Sequence, residues 1–322
     1  MLMPPISITN DILNLSVFIA EILGSLDALH FERPEISLRK DNRIQTIQSS
    51  LAIEGNTLSL EQVTDLINNV PIIGPKKDIQ EVKNAIVAYD AINQYKFQSS
   101  ASLKKAHHLL MQELINDAGT FRAGNVGIFA GNKVAHVAPP AKRVPKLMND
   151  LFDFLKSKDK LSLLIKACIF HYELEFIHPF SDGNGRIGRL WQQVILMQYH
   201  PAFEFLSIES LIKTKQREYY DVLGQCDSNG ESTLFVEFIL QLIYEALLDY
   251  QSMIKYIPNT RQSRINSAAN RFNDHWFSRQ DYMQLHKTIS PATASRDLNY
   301  AVSEKIIVRQ GDKRLAKYRF KD

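Results

Sequence analysis

Cysteine is nearly absent: Cys168 and Cys226 are the only two in 322 residues, which excludes a disulfide framework and points to a reducing, cytoplasmic setting. No apolar run is long enough to span a bilayer, so no membrane partner is expected. Asp11 and Glu21 interrupt the first apolar run, which reaches Leu23, and no basic segment precedes it. An amphipathic helix is therefore expected there, not a signal peptide. Internal repeats and low-complexity tracts are also missing. Charge of one sign is scarce too, with 38 Lys and Arg against 35 Asp and Glu. It is unevenly spread, however: residues 261–322 carry 13 basic against 6 acidic side chains, leaving 25 against 29 before them. The whole excess of positive charge is C-terminal.

What is present concentrates in residues 178–189, which read His-Pro-Phe-Ser-Asp-Gly-Asn-Gly-Arg-Ile-Gly-Arg. The preceding stretch, 161–177, is apolar with no Gly or Pro, which suits a buried helix. Pro179 disfavours helical geometry at the residue before it, so that helix should end at His178 and leave the imidazole at its tip. Gly183, Asn184 and Gly185 tolerate positive φ, so the backbone can fold its N–H groups inward as a nest. A second helix is expected from about Arg186 to Tyr199, its open N–H groups and dipole forming an anion site. Arg186 and Arg189, at i and i+3, share a face. Cations in a first helical turn oppose the dipole at roughly 0.3–1 kcal/mol each, a local violation that a bound polyphosphate would reverse. A base, a carboxylate, a nest and two guanidinium groups suffice to hold a nucleoside triphosphate and activate a hydroxyl against it.

These twelve positions resemble the Fic motif, His-Pro-Phe-x-Asp-Gly-Asn-Gly-Arg-x-x-Arg, at every fixed position. The resemblance implies a mainly α Fic fold, a helical bundle with a small β-hairpin flap, that transfers AMP from ATP to a Ser, Thr or Tyr hydroxyl of a target protein and of the chain itself. It also implies roles. His178 would take the hydroxyl proton, for which an imidazole is suited near neutral pH. Asp182 would bind Mg²⁺ as a hard oxygen ligand. Gly183, Asn184 and Gly185 would cradle phosphates, with the Asn184 side chain taking part. Arg186 would neutralise the leaving pyrophosphate and Arg189 would hold the γ-phosphate. Phe180, His171 and Glu175 read as structural. The related Doc kinases have Ala-Asn-Lys at 183–185, so Gly-Asn-Gly points away from phosphate transfer.

A second segment bears on regulation. Ser50 and Glu54 fall at i and i+4 of an expected helix, and Gly55 suits its stop. Glu54 thus sits at a C-terminus, where the dipole disfavours an anion. The segment resembles the Fic inhibitory motif, Ser/Thr-x-x-x-Glu-Gly/Asn, in the N-terminal position of the family's second class. That resemblance implies a pairing of Glu54 with Arg189 that blocks the γ-phosphate. In some relatives this Glu helps remove AMP, so de-AMPylation through Glu54 is an alternative activity.

Gly119-Thr120-Phe121-Arg122 opens a Val-, Ala- and Gly-rich stretch without helical period. Residues 126–129 and 133–137 read as two strands around Ala130-Gly131-Asn132. An exposed hairpin edge can pair with an extended segment of another protein, and the family uses such a flap; here Lys133, Val134, Ala135, His136 and Val137 would dock the target. His136 reads as a surface residue.

Helices are expected at 38–54, 59–68, 78–95, 102–117, 144–156 and 234–254, with Pro258-Asn259-Thr260 as punctuation. After it come a helix at 278–286, a turn at Thr288-Ile289, and a helix capped by Ser290 with Pro291 first, running to 304. A basic hairpin at 306–309 and 315–320 follows, turning on Gln310-Gly311-Asp312. Helix, turn, helix and wing resembles the winged helix-turn-helix module of longer Fic proteins. There Thr293, Ser295, Arg296 and Asn299 would face a DNA groove and Lys313 and Arg314 touch phosphate. Three regions follow: 1–100 with the inhibitory helix, 101–257 catalytic, and 261–322 winged helix. The expected partners are ATP, Mg²⁺, a target protein along the flap, DNA or protein at 261–322, and a second copy of the chain. A DNA-binding transcriptional regulator with a nucleotide-sensing Fic domain is the alternative from another class.

Overall fold

Apolar side chains at helical spacing carry most of this chain into helices. In the computed structural model, residues 4–28, 36–130, 133–158, 160–255, 260–286, 289–312 and 316–321 are described. The helices are α1 (Asn10–Ala28), α2 (Ile36–Ile53), α3 (Leu60–Ile67), α4 (Lys76–Asp90), α5 (Ser100–Met111), α6 (Val144–Lys156), α7 (Leu163–Ile177), α8 (Asn184–Tyr199), α9 (Ile208–Thr214), α10 (Gln216–Asn229), α11 (Thr233–Lys255), α12 (Arg261–Phe272), α13 (Arg279–Leu285) and α14 (Pro291–Ser303). The strands are β1 (Gly127–Ala130), β2 (Lys133–Val137), β3 (Phe277–Ser278), β4 (Ile307–Gln310) and β5 (Lys317–Phe320). Two compact units divide the chain, Met1–Tyr250 and Gln251–Asp322.

In the first unit α7 is apolar on every side, and accordingly it is buried on nearly every side and lies along α8. Trp191 of α8 is fully buried, meets Phe152 edge-on and donates its indole N–H to the Phe97 carbonyl at 3.2 Å. The expected N-terminal helix is α1, whose Ile12, Ile19, Leu23 and Leu26 turn inward at helical spacing. The expected helix at 102–117 stops early, at Met111. Asn84 of α4 donates to the carbonyls of Leu110 and Gln112, at 3.2 and 2.7 Å, and so caps the end from another helix. The second helix of the motif starts two residues before Arg186, at Asn184.

β1 and β2 form the expected hairpin, pairing Gly127 with Val137 and Ala130 with Lys133, with a register shift between Ile128 and Phe129. Its tip, Gly131 and Asn132, and the side chains of Lys133, Val134, Ala135, His136 and Val137 lie outside the described residues, as do Pro258, Asn259, Thr288, Lys313 and Arg314.

The second unit has a core of its own around Ile265, Phe277, Tyr282, Leu298 and Tyr318. Its sheet is antiparallel in the order β3-β5-β4. Ser290 caps α14 and Pro291 opens it as expected, while Ser278, expected as the first residue of its helix, caps α13. Asp297 is buried and accepts both arms of Arg264, at 2.7 and 3.1 Å, fixing α12 against α14. Arg296 and Asn299 of α14 are exposed.

Candidate active site

α7 ends where Pro179 requires it to end. His178 is its C-cap at φ 48°, ψ 60°, and its N–H still donates to the Leu174 carbonyl at 2.9 Å. Left-handed backbone is uncommon outside glycine, and histidine is among the residues enriched there. The imidazole, half-buried, therefore stands at the lip of the loop that follows.

That loop is held from inside. Asn184 accepts the Phe180 N–H and donates to the Phe180 carbonyl, both at 2.9 Å, much as a paired strand would. The Asn184 carboxamide thus shapes the loop. Phe180 is fully buried, as expected of an anchor, and stacks on His107 of α5 with ring centroids 3.6 Å apart. His107 accepts the Gly119 N–H at Nδ1 (2.9 Å), so Nε2 carries its proton and donates to the Asp182 carbonyl (2.9 Å). Gly183 turns the chain into α8 at φ 83°, and a Cβ there would lie 2.6 Å from Met111 Sδ. Only glycine fits both constraints.

Burial pushes His107 down to about 4, against the opposing pull of its bond to the Asp182 carbonyl. Its folded value is therefore depressed, so the stability it lends is present above about 6.5 and is lost as pH falls through about 4. That shift is worth roughly 3 kcal/mol. Urea unfolding of parent and His107→Gln from pH 7.5 to 4 should show the parent losing about that much more. Parallel pH slopes would remove His107 from this role.

At the start of α8 the N–H groups of Asn184, Gly185 and Arg186 have no helical acceptor, and the positive end of the dipole lies behind them. Arg186, buried, donates through Nη1 to Glu81 Oε1 at 2.9 Å and through Nη2 to Asp182 Oδ1 at 2.8 Å. Glu81 is itself buried and accepts from Asn56 Nδ2 at 2.8 Å, which ties the segment after α2 to the same arginine. Asp182 also accepts the Gly183 N–H at 2.5 Å, and its side chain is half exposed at the mouth.

Arg189, 2% exposed, reaches across to α2. It donates through Nε to Ser50 Oγ (3.1 Å) and through Nη2 to the Ser50 carbonyl (2.9 Å) and Glu54 Oε1 (2.7 Å). The structure thus brings Ser50, Glu54 and Arg189 together, and the two local charge violations answer each other. The carboxylate occupies a particular place: a Cβ on Gly185 would fall on Glu54 Oε1, 3.1 Å from its Cδ. Only a glycine at 185 leaves room for the Glu54 carboxylate beside the first turn of α8.

Behind this pair lies a buried acidic shell. Burial works against the Arg189 charge, but Glu54 outweighs it and the net shift is upward. Glu175 is pushed up to about 8 by burial, eased by Arg189 and aggravated by Glu54 and Asp227. Glu209 of α9 is pushed up to about 7, again by burial first. His171 is driven down to about 3 by burial and is neutral; it bonds Gln192 Oε1 at 2.7 Å and the Tyr219 hydroxyl at 3.2 Å. Its structural reading holds. Sequence reasoning missed Glu81, His107 and Glu209 as parts of this site. Arg122, named from sequence only as part of the flap's opening, lies buried against the same loop.

Among the described residues no group of three or more His, Cys, Asp or Glu side chains is arranged to hold a metal ion. No described helix is long and apolar enough to cross a membrane.

Comparison with known proteins agrees with this geometry. The model of the Fic/DOC family matches residues 97–196. Proteins named Protein adenylyltransferase Fic from Nematostella vectensis (30% identical over 236 residues, 68% of this chain and 51% of that protein) and Aedes aegypti (32% over 252 residues, 68% and 47%) are similar to it. The chain spans about half the length of these curated relatives. A solved structure of a Fic family protein from Desulfovibrio desulfuricans G20 is similar over 99% of this chain and 98% of its own, at 40% identity and a TM-score of 0.76. With that likeness end to end, and the loop between α7 and α8 built as the motif demands, the chain belongs to the Fic family.

Proposed function

We propose that this chain is a protein adenylyltransferase, moving AMP from ATP to a hydroxyl of a target protein, and that Glu54 holds it off. The observation that carries the reading is the Glu54 carboxylate over Gly185, bonded to Arg189 at the head of α8. An anion already sits in an anion cradle, beside a base with a half-open face.

With Glu54 withdrawn, the α8 N–H groups and Arg189 bind the phosphate tail of ATP. His178 accepts the proton of the incoming hydroxyl, whose oxygen forms a bond to the α-phosphorus as the bond to the bridging oxygen breaks. Pyrophosphate leaves, and Arg186 offsets its charge. Little covalent work falls to the protein; position and charge stabilisation do most of it. Asp182 fits a Mg²⁺ ion: its carboxylate is half exposed at the mouth and would hold the ion as a hard oxygen ligand. The ion would neutralise phosphate charge. The β1–β2 hairpin, a two-stranded sheet, offers an edge for an extended target segment.

The alternative in which Glu54 assists removal of AMP is favoured by the same placement of its carboxylate within the cradle. One experiment separates the two. A cell lysate incubated with Glu54→Gly, ATP and Mg²⁺ should yield a protein heavier by an AMP group on Ser, Thr or Tyr, seen by mass spectrometry. No adduct on any protein, the enzyme included, would end the transferase reading; Glu54-dependent release of AMP from a modified protein would favour the alternative.

A further inference from the structure

We propose that Arg122 is a positioning residue that locks His178 to the foot of the flap, so that the hairpin a target lies along and the base that deprotonates it move as one piece; this rests on the transferase reading above. Arg122 is 4% exposed, and its acceptors among the described residues are backbone carbonyls. Nε donates to His178 at 2.7 Å and Nη2 to Ile177 at 3.3 Å. Nη1 donates to Gly124 at 2.8 Å and Nη2 also to Pro139 at 2.6 Å. Its own amide N–H donates to the Pro179 carbonyl at 2.9 Å.

These acceptors fall into two sets. Ile177 and His178 end α7, where carbonyls have no helical donor and the dipole favours a cation. Gly124 precedes β1 and Pro139 follows β2, so they are the two feet of the hairpin. One planar guanidinium joins both feet to the turn that carries the imidazole. The base sits in left-handed backbone at φ 48°, a conformation its surroundings must hold. Capping α7 alone would need only a point charge. A rigid fork reaching four carbonyls on two segments is something lysine cannot reproduce. The foot is closed further where Asn125 Oδ1 accepts the Ala141 N–H at 2.9 Å.

The test compares Glu54→Gly with Glu54→Gly/Arg122→Lys, which keeps the cation. We expect kcat for transfer to fall by about 100-fold through misplacement of the base, with KM for ATP changed by less than about 2-fold. Hydrogen exchange should rise together at Gly127–Ala130, Lys133–Val137 and residues 179–185, by about 10-fold. Faster exchange on one side of the clamp only, on neither side, or a KM for ATP and unfolding midpoint that collapse along with kcat, would overturn the proposal. If Glu54→Gly itself transfers nothing, the transferase reading falls, and the exchange pattern alone decides for or against the clamp. Should Arg122→Lys not fold, Asn125→Ala loosens the foot with Arg122 in place. Residues 179–185 loosening with the flap supports the link; the flap loosening alone overturns it.

Discussion

Glu54→Gly should raise AMP transfer by about 100-fold, the change produced by releasing 2–3 kcal/mol of coupling between two competing anions. Both compete for one place. Glu54 Oε1 is bonded to Arg189 and lies where a Cβ on Gly185 would fall; under the proposed function a γ-phosphate reaches Arg189 only when that carboxylate leaves. The substitution has a second, opposite effect that makes it diagnostic. A buried guanidinium that loses its carboxylate is destabilising by up to about 3–5 kcal/mol. Here the loss sits at the low end, because Ser50 keeps two bonds to Arg189. Without nucleotide the variant should therefore unfold at a lower temperature than the parent. Saturating ATP should then recover about 3 kcal/mol at 100 times its Kd, in the variant and much less in the parent. Glu54→Gln, nearly isosteric and neutral, should fall between them. If Glu54→Gly binds ATP no more tightly than the parent, the carboxylate is not a competitor and the inhibitory reading is wrong.

What the sequence disclosed was what depends on neighbours in the chain. Pro179 ends α7 at His178, Ser290 and Pro291 start α14, and Ser50 of α2 and Glu54 just past its end, four residues apart, both reach Arg189, all through rules acting within four residues. The start of α8 was misjudged by two residues because Asn184 reads as a turn former. Its carboxamide in fact bonds Phe180, four residues back, and lets the helix begin under it. The parts that stayed hidden are those fixed at long range. Glu81 lies in Lys-Lys-Asp-Ile-Gln-Glu-Val-Lys, which reads as a solvated helix face with Lys77 at i−4. Its partner Arg186 is 105 positions away. His107 acts on Asp182 across 75 positions and Arg122 on His178 across 56. Nothing local marks an arginine whose acceptors are all carbonyls, because a carbonyl has no sequence signature.

His178→Ala, made on the Glu54→Gly background, should lower transfer by about 10²–10⁴-fold, the usual contribution of a positioned general base. The loss should fall on kcat while ATP binding persists. The groups assigned to the triphosphate, the α8 N–H groups with Arg186 and Arg189, are untouched by the change and lie on the next helix. Folding should survive as well. The cap of α7 is made by the His178 N–H to Leu174 and by its carbonyl to Arg122, both backbone groups that alanine retains. Alanine enters left-handed backbone less readily than histidine, which costs about 1 kcal/mol and a few degrees of unfolding temperature. Calorimetric titration with ATP beside a transfer assay distinguishes the cases. Retained binding with lost transfer assigns the proton to His178. Retained binding with retained transfer sends the search for the base elsewhere along the mouth, and past His107 and His171, which are buried and already engaged on both ring nitrogens.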